Sequence, residues 1–308
     1  MLQLEKIFLL FYNYNMFIFK FKTKIRRKIV KILGLNRPTS FPFVTGDGFR
    51  ALAQHVFDEI SDIEPKNVEE NDIVFVRSDF LDPFFKEKHP YIRNKYILIS
   101  HNMDTNIGPD YKKYIDNKII HWFAQNLAFK NDKTTPIPIG VINYHYSSIN
   151  NNGRVSTMKR SSDLSDRIFK KNKISFGFTT TSNIERVNLK NSLETNDLLI
   201  KIENKDQFKY FTSLSEYKFI VSPEGNGTDC HRTWESLYLG TIPIVKKSIS
   251  MAHFKDLGIP LFIVENWDEL KSLNADLLSE KYTEIMNNLD SKALYMNYWI
   301  NIIISKKI

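Results

Sequence analysis

Short apolar runs rich in β-branched and aromatic residues alternate along the chain with longer polar or amphipathic stretches. This alternation is typical of βα units, in which helices cover a sheet of parallel strands. In the first half, strands are predicted at Ile73–Val76, Tyr96–Ile99, Ile119–Phe123 and Ile137–Ile139. In the second half, they are predicted at Ile174–Phe178, Leu198–Ile202, Phe219–Val221, Ile242–Val245 and Leu261–Val264. The pattern therefore indicates two successive α/β units of comparable size.

A polar stretch separates the two series of strands. Between about Tyr146 and Lys173, Ser, Asn, Arg and Asp dominate and apolar residues are few, as in a linker between domains. We therefore divide the chain into a basic N-terminal segment (1–40), a first α/β domain (41–150) and a second α/β domain (170–308). The predicted fold class is α/β, with two Rossmann-like domains facing a central cleft, a favoured place for a small ligand.

The net charge of the chain, +8, comes from its first forty residues. They contain nine lysines and arginines against Glu5 alone, and the remaining chain is close to neutral. A nucleic-acid enzyme usually spreads its basic surface over the folded body. No nucleic-acid partner is therefore expected; in the rival interpretation, a basic nucleic-acid-binding protein, this function would depend on residues 1–40.

The N-terminal segment has the pattern of a basic amphipathic helix. Ile7–Phe19 is apolar but broken by Asn13 and Asn15, and it is shorter than the roughly 20 residues that span a membrane. The following apolar stripe comprises Phe21, Ile25, Ile29, Ile32 and Leu33. Two interpretations stay open: residues 16–35 contact an anionic membrane surface, or they pack on the protein itself. With a single cysteine, we expect a cytoplasmic protein, peripheral on the inner membrane face in the first interpretation.

The segment Tyr217–Lys247 has the order strand, glycine loop, helix, glycine, strand. Its loop is Ser222-Pro223-Glu224-Gly225-Asn226-Gly227, and Thr228 or Asp229 is expected to cap the helix that ends at Gly240. Glycines let backbone amides approach a ligand closely, and the start of a helix attracts anions. This order therefore predicts a phosphate site.

Two charged residues of this helix fit a nucleotide. Arg232 lies in the first turn, where a cation opposes the helix dipole, so its presence is explained by a bound diphosphate. Glu235 is three residues further, on the same helical face, where a carboxylate can accept hydrogen bonds from ribose hydroxyls. The alternative is a surface ion pair between the two side chains.

The same segment resembles the donor-binding segment of exostosin-like glycosyltransferases. The resemblance rests on the loop 222–227, on His231-Arg232-Thr233-Trp234-Glu235-Ser236-Leu237 and on Gly240-Thr241-Ile242-Pro243-Ile244-Val245. It implies the two-domain GT-B architecture, with Arg232 binding the nucleotide diphosphate and Glu235 the ribose. The donor site predicted from it also includes Ser222, Glu224, Gly225, Asn226, Gly227, Asp229 and His231.

The turn after the strand at 174–178 is expected to face the donor phosphates as well. Thr180 and Arg186 are the candidates there, the alternative being an ordinary hydroxyl-rich turn and a solvated arginine. The chain contains no Asp-x-Asp triplet and no Cys/His spacing suited to zinc. We therefore expect no metal and no cofactor besides the nucleotide-sugar co-substrate.

The proton acceptor for sugar transfer is expected across the cleft, in the first domain. Ser100–Asp104 follows a predicted strand and offers His101 and Asp104; Asp79, after another strand, is a third candidate. The predicted function is metal-independent, inverting transfer of a sugar to a glycan or lipid-linked glycan, in surface-polysaccharide synthesis. The alternative is a non-catalytic nucleotide- or glycan-binding protein on the same fold.

Overall fold

The computed structural model of the protein describes residues 37, 39–144, 157–159, 161–162, 169–193, 197–203 and 206–307. The predicted amphipathic helix at 16–35 and most of the predicted linker lie outside these residues. Among the helices that are described, none combines the length and the hydropathy needed to cross a membrane.

Two parallel sheets organise the described chain, each with five strands in the residues the structure covers. The first has the spatial order β1-β2-β3-β4-β5, namely His55–Phe57, Asp72–Arg77, Tyr96–His101, Ile119–Ala124 and Thr134–Pro136. The second has the order β10-β9-β8-β6-β7, with β6 Lys171–Phe176, β7 Leu199–Lys201, β8 Tyr217–Val221, β9 Ile242–Lys246 and β10 Phe262–Val264. The predicted fold class, two α/β domains with parallel sheets, is confirmed.

Helices connect and cover the strands of both sheets. The α-helices with both ends inside the described residues are α1 Gly46–Arg50, α2 Leu81–Glu87, α3 Glu185–Leu193, α4 Gln207–Ser215, α5 His231–Tyr238, α6 Ile249–Asp256, α7 Ala275–Asn287 and α8 Met296–Ile304. Short 3-10 helices lie at Pro65–Asn67, Ser78–Phe80, His89–Tyr91, Pro109–Tyr114, Trp267–Ser272 and Lys292–Leu294. Helix α5 ends just before Gly240, as its sequence predicts.

Three strand predictions need correction. Ile137–Ile139 is not a strand: β5 ends at Pro136, because Pro138 has no N–H for the ladder and the Ile139 N–H bonds to the second domain. The short edge strand β1 is missing from the prediction. Strand β6 starts at Lys171, inside the predicted linker, where the Lys171 N–H donates to the Glu216 carbonyl at 2.7 Å.

The hydrophobic core continues from one domain into the other through the C-terminal helix. Trp299 of α8 is fully buried, and its ring centroid lies 6.4 Å from Phe49 of the first domain and 6.3 Å from Phe254 of the second. The Met296 N–H donates to the Pro42 carbonyl at 3.0 Å. Helix α8 therefore packs against both domains and helps to fix their relative position.

A buried charge network supports the amino-terminal end of the first domain. Arg37, assigned by sequence to the basic segment, is buried and forms ion pairs with Glu59 and with Asp47, the latter at 3.5 Å. Arg77 pairs with Glu59 at 2.9 Å. Although burial by itself raises the pKa of Glu59, the two guanidinium groups lower it to about 2.

The same network includes one of the candidate bases, Asp79. Both carboxylate oxygens of Asp79 accept hydrogen bonds from the guanidinium of Arg77, with Nε 2.6 Å from Oδ1. This bidentate pair occupies both oxygens of the Asp79 carboxylate within the first domain.

Candidate functional site

The predicted glycine loop crosses the cleft and touches the first domain. The Asn226 amide nitrogen lies 3.2 Å from a carboxylate oxygen of Asp104. The Asn126 side-chain oxygen accepts the Asp229 N–H at 3.0 Å and the Thr228 hydroxyl at 3.2 Å. The fold thus brings the predicted donor loop together with Asp104, which comes from the end of the third strand of the other sheet.

The loop needs glycine at position 227 because of this close approach. A Cβ atom there would lie 2.5 Å from the side-chain nitrogen of Asn126 and 3.1 Å from the carbonyl oxygen of Asp104. Both distances are shorter than ordinary van der Waals contacts. Glycine at position 227 therefore allows the loop to pack against the first domain.

Asp229 has a different place from the one predicted. Residue Cys230, not Asp229, precedes helix α5 in the cap position, and it makes no side-chain cap. The Asp229 carboxylate is 2% exposed and accepts hydrogen bonds from the Ile139 N–H at 2.8 Å and from the Trp234 indole at 2.9 Å. Burial raises the pKa of Asp229 to about 7 in spite of these bonds. The predicted cap is wrong, and Asp229 joins the two domains.

Ser222 is likewise an internal residue of the second domain. Its side chain is 3% exposed, and its hydroxyl lies 2.9 Å from that of Thr233 in α5. The bond fastens the start of the loop to the first turn of the helix.

Arg186 holds the loop in shape. Its guanidinium donates to the Glu224 carbonyl at 2.7 Å, to the Pro223 carbonyl at 2.9 Å and to the Thr179 carbonyl at 3.1 Å. It thereby connects the glycine loop with the turn that carries Thr180, which is partly buried there. The solvated arginine of the alternative interpretation is excluded, since Arg186 is 5% exposed.

Arg232 lies close enough to Arg186 for the two charges to affect each other. Burial and the Arg232 guanidinium lower the pKa of Arg186. The guanidinium carbons of Arg186 and Arg232 lie 5.8 and 5.9 Å from the ring centroid of Phe178. Arg232 donates to the Tyr210 hydroxyl at 3.4 Å, and within the described chain neither arginine forms an ion pair with a carboxylate. Such a pair beside a helix start suits an anion.

Glu235 is buried at 2% exposure, so a surface ion pair with Arg232 is not formed. Burial by itself lowers the pKa of Arg232, but the Tyr210 hydroxyl, Cys230 and the charge of Glu235 raise it overall. The carboxylate therefore contributes to the electrostatics of the arginine from within the helix packing.

Glu224 and its neighbours form the outer side of the loop. Burial raises the pKa of the half-buried Glu224, while the nearby Lys246 opposes that change. The Lys246 ammonium pairs with Glu185 at 2.7 Å. The carbonyl of Gly225 accepts the Asn183 amide at 3.2 Å, which adds a second connection between loop and turn.

A pocket of about 190 Å³ opens between the domains beside the loop. It unites the predicted residues His101, Asp104 and His231, which are far apart in sequence. Its full lining is Gly46, His101, Asn102, Met103, Asp104, Gln125, Ile139, Ile142, Asn143 and His231. We refer to it as the cleft pocket.

Sequence reasoning missed most of the polar lining of the cleft pocket. Asn143 donates to the Asn102 side-chain oxygen at 3.0 Å, and its own oxygen accepts the Asp47 N–H at 2.9 Å. Asn102 has a left-handed backbone, with φ 68°. The motif Thr45-Gly46-Asp47-Gly48 could have indicated that a ligand site includes Gly46. The sequence around Asn143, in contrast, contains no motif that predicts a role in a site.

His101 is not placed to accept a proton. Its Nε2 lies 2.9 Å from the Pro138 carbonyl, and its Nδ1 accepts the Asn102 N–H at 2.7 Å. Burial lowers the pKa of His101 to about 4. Both ring nitrogens are therefore engaged by the backbone, which favours a role in holding the turn at Asn102.

His231 reaches across the cleft from the first position of α5. Its Nδ1 lies 2.8 Å from the carbonyl oxygen of Gly140 in the first domain. The bond is adjacent in sequence to the Asp229–Ile139 bond, so the two side chains hold the same piece of first-domain backbone.

A second cavity, of about 310 Å³, lies between the segment 127–136 and helix α6. It contains none of the residues predicted for the site. Across the described chain, no group of three or more His, Cys, Asp or Glu side chains is arranged to hold a metal ion.

Comparison with known proteins adds a distant sequence relative. No family model matches the chain. In an alignment 147 residues long that covers 39% of the chain, the sequence is 22% identical to ribitol-5-phosphate xylosyltransferase 1 of Mus musculus. The match covers 32% of that relative, so the chain corresponds to about a third of its length. Membership of the exostosin-like family stays a prediction.

Similar solved structures share the arrangement only loosely. One is an α,α-trehalose 6-phosphate synthase from Burkholderia multivorans, with a TM-score of 0.40, 9% identity and coverage of 79% of this chain and 70% of that one. Another is a GtfA/B complex, with a TM-score of 0.36, 12% identity and coverage of 78% and 58%.

Proposed function

We propose that the protein is a glycosyltransferase that takes its sugar from a nucleotide-sugar bound at the start of helix α5. The observation that carries the proposal is the pair of neighbouring guanidinium groups, Arg186 and Arg232, which share the ring of Phe178 and have no carboxylate ion pair within the described chain. A diphosphate supplies the negative charge that this arrangement lacks. The xylosyltransferase named above supports the same reaction class.

The two arginines have different tasks in this proposal. Arg232, at the second position of α5, binds the diphosphate and stabilises the charge that develops as it leaves. Arg186 donates hydrogen bonds to the carbonyls of the loop and thereby positions the loop amides. Charge neutralisation by arginine and helix start makes the reaction metal-independent.

The acceptor hydroxyl enters from the first-domain side, into the cleft pocket. In this proposal transfer inverts the anomeric configuration, so the acceptor hydroxyl attacks the anomeric carbon on the face opposite the diphosphate. The acceptor is a glycan, with lipid-linked glycans included if residues 16–35 contact a membrane.

Calorimetry with UDP-, GDP-, CMP- and dTDP-sugars, with and without magnesium, tests donor binding. We expect one nucleotide class to bind equally well without magnesium. Arg232→Ala should weaken it about 10- to 100-fold, the loss of one or two charged hydrogen bonds. Arg93→Ala, at an exposed position before β3, is the matched control and should bind like the wild type.

The outcomes separate the proposal from its alternative. If no donor binds the folded wild type, the transferase proposal fails and a glycan-binding protein becomes the better explanation. Donor binding without release of nucleotide diphosphate, with water or with glycan acceptors, would indicate a non-catalytic nucleotide-binding protein.

A further inference from the structure

We propose that His231 is the catalytic proton acceptor of the transfer, acting on a hydroxyl bound in the cleft pocket; the inference rests on the proposed function. It reassigns a residue that sequence reasoning placed in the donor site. It also replaces His101 and Asp104 in the catalytic role.

The hydrogen bond to Gly140 determines the tautomer of His231. A carbonyl oxygen only accepts hydrogen bonds, so Nδ1, 2.8 Å away, must carry the proton. In the neutral ring Nε2 then has a free lone pair, which is the requirement for a general base. A backbone carbonyl that orients an imidazole in this way performs the task of the third group in a catalytic triad.

The free nitrogen is accessible. Within the described chain, Nε2 of His231 has no hydrogen-bond partner, and it is not among the buried polar atoms that lack one. The ring lines the cleft pocket together with the polar side chains of Asn102, Gln125 and Asn143. These amides can bind the hydroxyl groups of an acceptor sugar, and the pocket has the volume of about six water molecules.

Each of the other titratable groups around the pocket makes at least one hydrogen bond. Both nitrogens of His101 are bonded to the backbone. Asp104 is exposed, and one of its carboxylate oxygens accepts the Asn226 amide of the donor loop at 3.2 Å. Asp229 is buried and satisfied by Ile139 and Trp234. His231 is thus the one described group of the pocket lining that combines access with an unoccupied basic nitrogen.

The position of His231 also couples the two halves of the reaction. It directly precedes Arg232 and its ring lines the cleft pocket, so the first turn of α5 carries both the proposed diphosphate ligand and the proposed base. The acceptor oxygen forms a bond to the anomeric carbon as its proton passes to Nε2. The bond from that carbon to the diphosphate oxygen breaks, and its electron pair leaves with the nucleoside diphosphate. The imidazolium then releases its proton to solvent.

The test uses His231→Asn in the full chain. The asparagine amide nitrogen can take the place of Nδ1 and keep the bond to Gly140, but no basic nitrogen remains. With the nucleotide-sugar that the wild type binds, we expect nucleotide release to fall about 100-fold while the donor dissociation constant stays within twofold. His55→Asn is the matched control: His55 lies on the edge strand β1 and pairs with Asp72 of β2, so its substitution should leave both quantities unchanged.

A second measurement addresses the geometry without activity. Nitrogen NMR of the wild type should show the neutral ring of His231 protonated at Nδ1 and bare at Nε2. Protonation at Nε2 instead would overturn the inference. Turnover retained by His231→Asn would also overturn it and leave the proposed function intact, whereas a wild type that binds no donor or never turns it over would overturn both.

Discussion

The Asp229 carboxylate of the second domain accepts a hydrogen bond from the backbone N–H of Ile139 in the first domain, with 2.8 Å between the two atoms. The next residue of that backbone, Gly140, receives the His231 imidazole at 2.8 Å. One buried carboxylate therefore determines where the first domain presents the carbonyl that orients His231. The geometry of the cleft pocket depends on this contact between domains.

Asp229→Asn should change the pH dependence of stability. The folded-state pKa of about 7 exceeds the ordinary 3.8, so between these values the folded state binds more protons than the unfolded state. The contribution of Asp229 to the free energy of unfolding should therefore fall as the pH rises from about 4 to about 7, by at most about 1.4 kcal/mol per pH unit. The asparagine variant should lose this slope. Urea unfolding across the range measures it, and parallel curves for both proteins would contradict the prediction.

Glu59→Gln should destabilise the first domain at neutral pH. The substitution leaves Arg37 and Arg77 without their shared carboxylate, and breaking a buried ion pair costs about 3–5 kcal/mol. Because the pKa of Glu59 is lowered from 4.5 to about 2, its stabilisation is present above pH 4.5 and is lost as the pH falls towards 2. Denaturant titrations of the variant should therefore not show the loss of stability that protonation of Glu59 causes in the wild type. Glu64→Gln, on the exposed surface, serves as control and should change stability by less than about 0.5 kcal/mol.

Gly46→Ala should impair turnover and spare donor binding. A Cβ atom at Gly46 would overlap the side-chain oxygen of Asn102 and lie 2.5 Å from Nδ1 of His101. Asn102 would have to leave its place in the cleft pocket, while the loop 222–227 would be untouched. Gly108→Ala is the matched control, because a Cβ atom there meets nothing within 4 Å. If Gly46→Ala lost donor affinity as much as turnover, the cleft pocket and the donor loop 222–227 would not function independently.

Arg186→Lys should weaken donor binding although it keeps the positive charge. A lysine cannot donate at once to the carbonyls of Thr179, Pro223 and Glu224, so the loop would lose its shape. We expect an affinity loss of about tenfold or more by calorimetry, equivalent to about 1.4 kcal/mol. Arg93→Lys provides the comparison. Full affinity in Arg186→Lys would mean that charge alone, and not loop geometry, is what the donor requires.

Local patterns in the sequence were sufficient for the strands and the glycine loop. Alternation of apolar runs with polar stretches located nine strands, and eight of them coincide with strands of the structure. Ile137–Ile139 failed because the pattern cannot reveal that the Ile139 N–H bonds to another domain. The edge strand β1, with three residues, is too short to give a periodic signal.

The cleft pocket could not be assembled from local patterns. Its amides come from separate segments, and the left-handed turn at Asn102 depends on contacts with Asn143 and with the His101 ring. Asp229 looked like a helix cap because aspartate often caps helices. Only its burial against Trp234 and Ile139 identifies it as a link between domains.

The sequence by itself determined the α/β class, the succession of two α/β units along the chain and the strand–loop–helix segment around Arg232. Those properties follow from residues that are close to one another in sequence. Tertiary structure decided which polar groups are buried, paired or free. The bond that orients His231 joins residues 91 positions apart, and the bond that buries Asp229 joins residues 90 apart. Protonation and access depend on such distant partners, since hydrogen bonding and desolvation act through space and not along the chain.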